Sequence, residues 1–145
     1  MRATTIKALE RAFKMILVDT SVLIDYFKNI QNVTTKKMQY ILDMRIPFGI
    51  NSFIFQELLQ GAKTKPEFDT LKNYLETQIF YGLKDEKESF AKAAEIYFMC
   101  RKKGYQVGST IDCIISQTAI ENDLLLLHHD SDFTKIAQVV NLHFY

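Results

Sequence analysis

A chain of 145 residues, 48% hydrophobic and 24% charged with only two prolines, has the size and composition of one globular domain, and neither a disordered nor a fibrous segment fits it. Eighteen basic against seventeen acidic residues give a formal charge of +1, which excludes a protein that holds nucleic acid by bulk phosphate neutralisation. No apolar run approaches the roughly 18 residues of a membrane-spanning helix, so no membrane span is expected.

Residues 1–14 are expected to be an N-terminal extension. They carry Arg2, Lys7, Arg11 and Lys14 against Glu10 alone, leaving residues 15–145 with fourteen bases and sixteen acids. Any polyanion site in the remainder must therefore be local. The extension lacks the continuous apolar stretch of a secretory signal. Its basic character overlaps with a mitochondrial transit sequence, but it is short and a strand follows at once, so an upstream start or a surface helix is the expected account. Cys100 and Cys113 cannot build a disulfide framework and sit in apolar helical stretches, which fits burial, a reducing compartment and a cytoplasmic protein.

Met15 to Val18 is a continuous apolar run ending at Asp19, the pattern of a strand buried on both faces. Thr20 and Ser21 are N-cap candidates for a helix over Val22–Lys28. Asn32–Arg45 is amphipathic, with Met38, Ile41 and Leu42 on one face, and leads into a strand over Ile46–Ile50. Asn51 or Ser52 caps a helix that Gly61 stops, and Pro66 opens another running to about Thr77. Gln78–Leu83 is a third strand candidate. Asp85 to Glu88 resembles a capping box before the longest helical segment, whose inward face is expected to hold Phe90, Ala94, Tyr97 and Phe98, and which ends at Gly104. A helix over Ser109–Asn122, a buried strand over Leu124–Leu127, a short helix over Phe133–Val139 and a last strand over Leu142–Tyr145 complete the chain. About five strands alternating with seven helices predict an α/β fold with a parallel sheet.

In such a sheet ligands bind beyond the carboxyl ends of the strands. Asp19 ends the first strand, Asp130 lies just past the fourth, Glu57 follows the second, and Asp112 sits in the first turn of the helix before the fourth. Each has a simpler reading alone: Asp19 caps a helix, Asp112 makes a capping box with Ser109, Glu57 is a solvated helix residue, and Asp132 caps the last short helix. Together they are a cluster of like charges that raise one another's pKa unless a cation cancels them. An oxygen-only donor set points to Mg²⁺ or Mn²⁺. His128, His129 and His143 form no zinc spacing with the cysteines. There is no glycine-rich phosphate loop, and Asp130-Ser131-Asp132 lacks the rest of an EF-hand. Arg101, Lys102 and Lys103 read first as a solvated helix end. Phe53, Phe55, Phe90, Tyr97 and Phe98 read as core or dimer interface before base-stacking platforms.

The segment from Met15 to Phe27, MILVDTSVLIDYF, resembles the opening of PIN domains, particularly those of VapC-type toxins, and the similarity runs through residues 15–145. Glu57 in NSFIFQEL, Asp112 in TIDCIIS and Asp130 in LLHHDSDF match the family's second, third and fourth acids, with Asp132 as an auxiliary. Ser21 matches the small hydroxyl residue that supports the site. Two departures stand out: His128, where many members have threonine, and the N-terminal extension. The resemblance implies a PIN-like three-layer α/β/α domain over residues 15–145 with a mostly parallel sheet. It further implies a Mg²⁺- or Mn²⁺-dependent endoribonuclease that hydrolyses RNA phosphodiester bonds with metal-activated water, usually a homodimer and usually silenced by a cognate antitoxin protein. Asp19 and Asp112 would be the chief metal ligands, with Glu57 and Asp130 acting directly or through water. RNA contact is then expected from Lys36, Lys37, Arg101, Lys102 and Lys103. The competing expectations are a non-catalytic protein that keeps the fold for binding alone, and a phospho-acceptor receiver-like module.

Overall fold

The computed structural model describes residues 14–145, and the expectations for residues 1–13 lie outside the described residues. Strands β1 (Ile16–Val18), β2 (Phe48–Ile50), β3 (Ile79–Phe80) and β4 (Leu125–Leu127) form one parallel sheet in the order β3-β2-β1-β4. Ile16 pairs with Phe48 on one side and Leu125 on the other, so β1 is central. Successive side chains of a strand point to opposite faces, and all three residues of β1, β2 and β4 are buried, so both faces of the sheet are covered. That is the α/β architecture expected from the apolar runs.

The two outer positions are shorter than expected. β3 keeps two exposed residues of the expected 78–83 segment, as suits an edge strand. The expected last strand contracts to a bridge between Leu126 and Phe144, with the Leu126 N–H donating to the His143 carbonyl at 2.9 Å and the Tyr145 N–H to the Leu126 carbonyl at 3.0 Å. Gly49 in β2 has a packing reason: a Cβ there would run into the Tyr81 ring and stand 2.8 Å from the Ile79 carbonyl oxygen.

The helices are α1 (Thr20–Phe27), α2 (Val33–Asp43), α3 (Ser52–Gln60), α4 (Lys65–Glu76), α5 (Glu88–Lys102), α6 (Thr110–Glu121) and α7 (Ser131–Ile136). Side chains at the helix starts accept from one or two first-turn N–H groups, and Asn32 forms a full capping box with Thr35. The expected box before α5 is shifted: Asp85 accepts from the N–H groups of Lys87 and Glu88, but the return bond is to the Ser89 hydroxyl rather than to Glu88. Asp19, rather than Thr20 or Ser21, caps α1. Asp130, rather than Asp132, caps α7, which starts at Ser131 because the Asp130 carboxylate takes the Asp132 N–H. Asn29, Arg45, Gly104 and Asp123 end α1, α2, α5 and α6 in the left-handed region.

The inward face of α5 is a correction. Ser89, Ala93, Ile96 and Cys100 are buried, whereas Phe90, Tyr97 and Phe98 are exposed and Ala94 lies with them. Size misleads here, because α5 packs on α6 through its small and aliphatic stripe, which allows close approach, and its aromatic stripe is left outside. Cys100 and Cys113 are both buried free thiols, as expected. Among the described residues no helix is long and apolar enough to cross a membrane.

Candidate metal centre

A helix joining parallel strands runs antiparallel to them, so α1, α3, α6 and α7 all present their N-termini at the carboxyl rim of the sheet. Free N–H groups and aligned peptide dipoles at such ends favour anions, and it is here that the acids gather.

Asp19 continues β1 past its last paired residue, its N–H donating to the Leu127 carbonyl at 2.9 Å. Its carboxylate accepts from the Ser21 N–H at 3.0 Å and from the Ser21 hydroxyl, and the same hydroxyl oxygen accepts the His129 N–H at 3.0 Å. Ser21 thereby ties the segment after β4 to the start of α1. Burial raises the pKa of Asp19 more than these bonds lower it, and the Asp130 charge raises it further.

Asp112 stands in the first turn of α6. Ser109 caps the helix by accepting from the N–H groups of Ile111 and Asp112, yet the Asp112 carboxylate receives no hydrogen bond in return from any described residue. It is only 9% exposed. Burial first, then the charges of Asp19, Asp130, Asp132 and Glu57, push its pKa up to about 7. Such a carboxyl group is costly to ionise unless a cation joins it.

Asp130 caps α7, its Oδ1 accepting the Asp132 N–H at 2.9 Å. Asp132 accepts the Gly108 N–H at 3.0 Å through Oδ2 and faces the Lys135 ammonium at 3.4 Å through Oδ1. Oxygens of Asp112, Asp130 and Asp132 lie within 4.8 Å of one another. Glu57, half-buried on α3, has its pKa raised by burial and by the Asp19 charge, which places it on the same acidic field.

All five acids read from the sequence therefore come together. The tightest set is Asp112, Asp130 and Asp132, so the residue expected to be an auxiliary sits at the centre, while Asp19 and Glu57 join through their charges. Lys135 escaped sequence reasoning, although its spacing three residues after Asp132 on one helix was a legible signal. Its ammonium also bonds the Gln106 carbonyl at 2.9 Å, fastening the loop before α6. The bases expected to meet RNA make no ion pair with the acids. Lys37 donates to the Tyr145 carbonyl at 2.9 Å and lies close enough to His128 to disfavour its protonation, a minor cause beside burial. Lys36 lines a groove between α1 and α2 of about 480 Å³ with Tyr26, Phe27 and Tyr40. Arg101 stands 5.8 Å over the Tyr97 ring, with Lys102 and Lys103 exposed beyond it. The donor set is oxygen alone, with one carboxylate lacking any donor, and it fits a hard divalent cation better than zinc.

The chain as a whole resembles known proteins. A family model described as PIN domain matches residues 16–139. The chain belongs to the PIN domain family. Curated relatives of this PIN domain include VapC ribonuclease Mb1587 of Mycobacterium bovis and ribonuclease VapC11 of Mycobacterium tuberculosis. Each is 30% identical over 129 residues, spanning 88% of this chain and 96% of the relative. Among solved structures, VapBC2 from Rickettsia felis bound to a promoter DNA fragment superposes with a TM-score of 0.67 at 16% identity, over 90% of this chain and 97% of the other. A toxin-antitoxin complex from Klebsiella pneumoniae gives 0.64 at 22% identity, over 90% and 99%. At those identities the structures show the shared PIN fold.

Proposed function

We propose that this PIN domain is a divalent-metal-dependent endoribonuclease acting as the toxin of a toxin-antitoxin pair in the cytoplasm. The observation that carries the reading is Asp112: a buried carboxylate without a donor, facing four other acids. Relatives named ribonucleases over nearly the whole chain support the substrate class.

Asp112, Asp130 and Asp132 would hold Mg²⁺ or Mn²⁺ between them, with Asp19 beside them, while Asp132 also accepts the Gly108 N–H. When bound, such a cation stabilises charge on the phosphoryl oxygens and acidifies water. Glu57, raised in pKa and half-buried, accepts the proton of the attacking water. Ser21 keeps Asp19 oriented toward the rim. Lys36, Lys37 and the Arg101–Lys103 cluster bind phosphates on either side, which gives the complex a salt-dependent affinity.

The likeness to a toxin-antitoxin complex from Klebsiella pneumoniae supports a protein antitoxin as partner. A homodimer is supported by the aromatic stripe of α5, where Phe90, Tyr97 and Phe98 form an exposed apolar face of a kind that marks protein contacts. The test is cleavage of an RNA pool by the purified chain with Mn²⁺, with a chelator, and with Asp112→Asn. Cutting that needs both the cation and Asp112 is expected. Cutting in chelator, or by Asp112→Asn at the full rate, would contradict the assignment.

A further inference from the structure

We propose that His128 is a positioning residue for Asp130, presenting Nδ1 to the Asp130 N–H, and that Phe144 from the C-terminal end of the chain holds the imidazole in place. The inference rests on the reading above, in which Asp130 is one of the acids around the cation.

His128 is the first residue after β4, and its Nδ1 accepts the Asp130 N–H at 3.2 Å. An acceptor on a short side chain can reach the N–H two residues on without outside support. An imidazole needs walls to be held in the same way, and the structure supplies two. Phe133, fully buried on α7, lies 5.2 Å from the imidazole between ring centres, and Phe144 lies 4.4 Å away. Phe144 arrives there because its backbone bridges to Leu126, one strand away from Asp19.

The segment that carries Asp130 is thus held from two sides. The His129 N–H goes to the Ser21 hydroxyl that also serves Asp19, and the Asp130 N–H goes to His128. With its backbone fixed, Asp130 directs one oxygen at the Asp132 N–H and lies with Asp112 and Asp132 in the acidic cluster. Groups that orient ligands from behind typically carry about 10- to 100-fold in metal affinity. The competing role is plain core filling, in which the ring matters and the nitrogen does not.

Two substitutions separate these roles in the full chain. His128→Phe keeps a ring between Phe133 and Phe144 and removes the acceptor; His128→Asn sacrifices the ring and restores an oxygen where Nδ1 stands. Mn²⁺ affinity by calorimetry is expected to fall about tenfold in His128→Phe and to stay near the unaltered value in His128→Asn, even though His128→Asn unfolds at the lower temperature. Unchanged affinity in His128→Phe, or equal losses in both, overturns the inference and leaves the metal centre standing. If His128→Phe does not fold, Phe144→Ala replaces it: weaker Mn²⁺ binding in a folded protein supports the positioning role, and unchanged binding overturns it. Absence of Mn²⁺ binding by the unaltered protein overturns the metal reading and this inference together.

Discussion

At the carboxyl rim, charge is buried; on the outer face of α5, apolar surface is exposed. Asp112 is 9% exposed among four other acids, whereas Phe98, on a helix packed directly against the one that carries Asp112, is 63% exposed. Both arrangements destabilise an isolated chain, the first through desolvation and repulsion, the second through apolar area left in water. They differ in what relieves them. Three carboxylates whose oxygens lie within 4.8 Å of one another leave room for an ion, while an aromatic helix face needs a broad apolar partner. The proposed ion site and the proposed macromolecular contact thus lie on two helices packed against each other, and the two should respond to different perturbations.

The largest expected effect is on chemistry. Asp112→Asn should lower metal-dependent RNA cleavage by about a hundredfold or more, the scale on which single catalytic groups act. The same variant should melt at a higher temperature than the unaltered protein when both are metal-free, because it removes a charge that the fold opposes. Lower melting with retained cleavage would break the rim account.

The pH dependence of stability comes next. The Asp112 pKa is raised from 3.8 to about 7, so the folded state holds a proton that the unfolded chain has released between those values. Its stabilising contribution is present below about pH 4 and is lost as pH rises through about 7. Melting temperatures of metal-free protein should therefore decline across that window, and saturating Mn²⁺ should flatten the decline. The slope should shrink in Asp112→Asn, leaving the part that the raised pKa values of Asp19 and Glu57 contribute.

On the α5 face, Phe98→Glu should convert a dimer to a monomer by sedimentation without changing Mn²⁺ affinity. A variant that stays dimeric would move the contact elsewhere. The smallest effect is expected from Lys36→Ala, which should weaken RNA binding modestly and reduce the slope of log affinity against log salt by roughly 0.7, the value for one contact to a single strand. An unchanged slope would remove Lys36 from the interface.

The same contrast explains what could be read from the sequence. The rim was legible because its signals are local and redundant: an apolar run ending in Asp19, Asn51 ahead of Glu57, Ser109 ahead of Asp112 and a run of four leucines before Asp130 each mark a strand end or helix start where acids accumulate. Lengths were less legible at the edges. β3 and the C-terminal segment have one neighbour each, so little besides that neighbour determines where pairing stops. The ordering within the cluster was hidden as well, since Asp132 reaches the centre only because Asp130 takes the cap of α7. The buried face of α5 is not legible in the sequence because the helix carries two apolar stripes, and the larger side chains lie on the one that the core does not use.

The central claim is that the rim acids share a divalent cation, and the most direct measurement is the number of protons released when metal-free protein is titrated with Mn²⁺ at about pH 6, below the raised pKa of Asp112. Binding accompanied by proton release, with fewer protons released per bound ion in Asp112→Asn, is the predicted result. Binding without release, or no binding at all, would contradict the account.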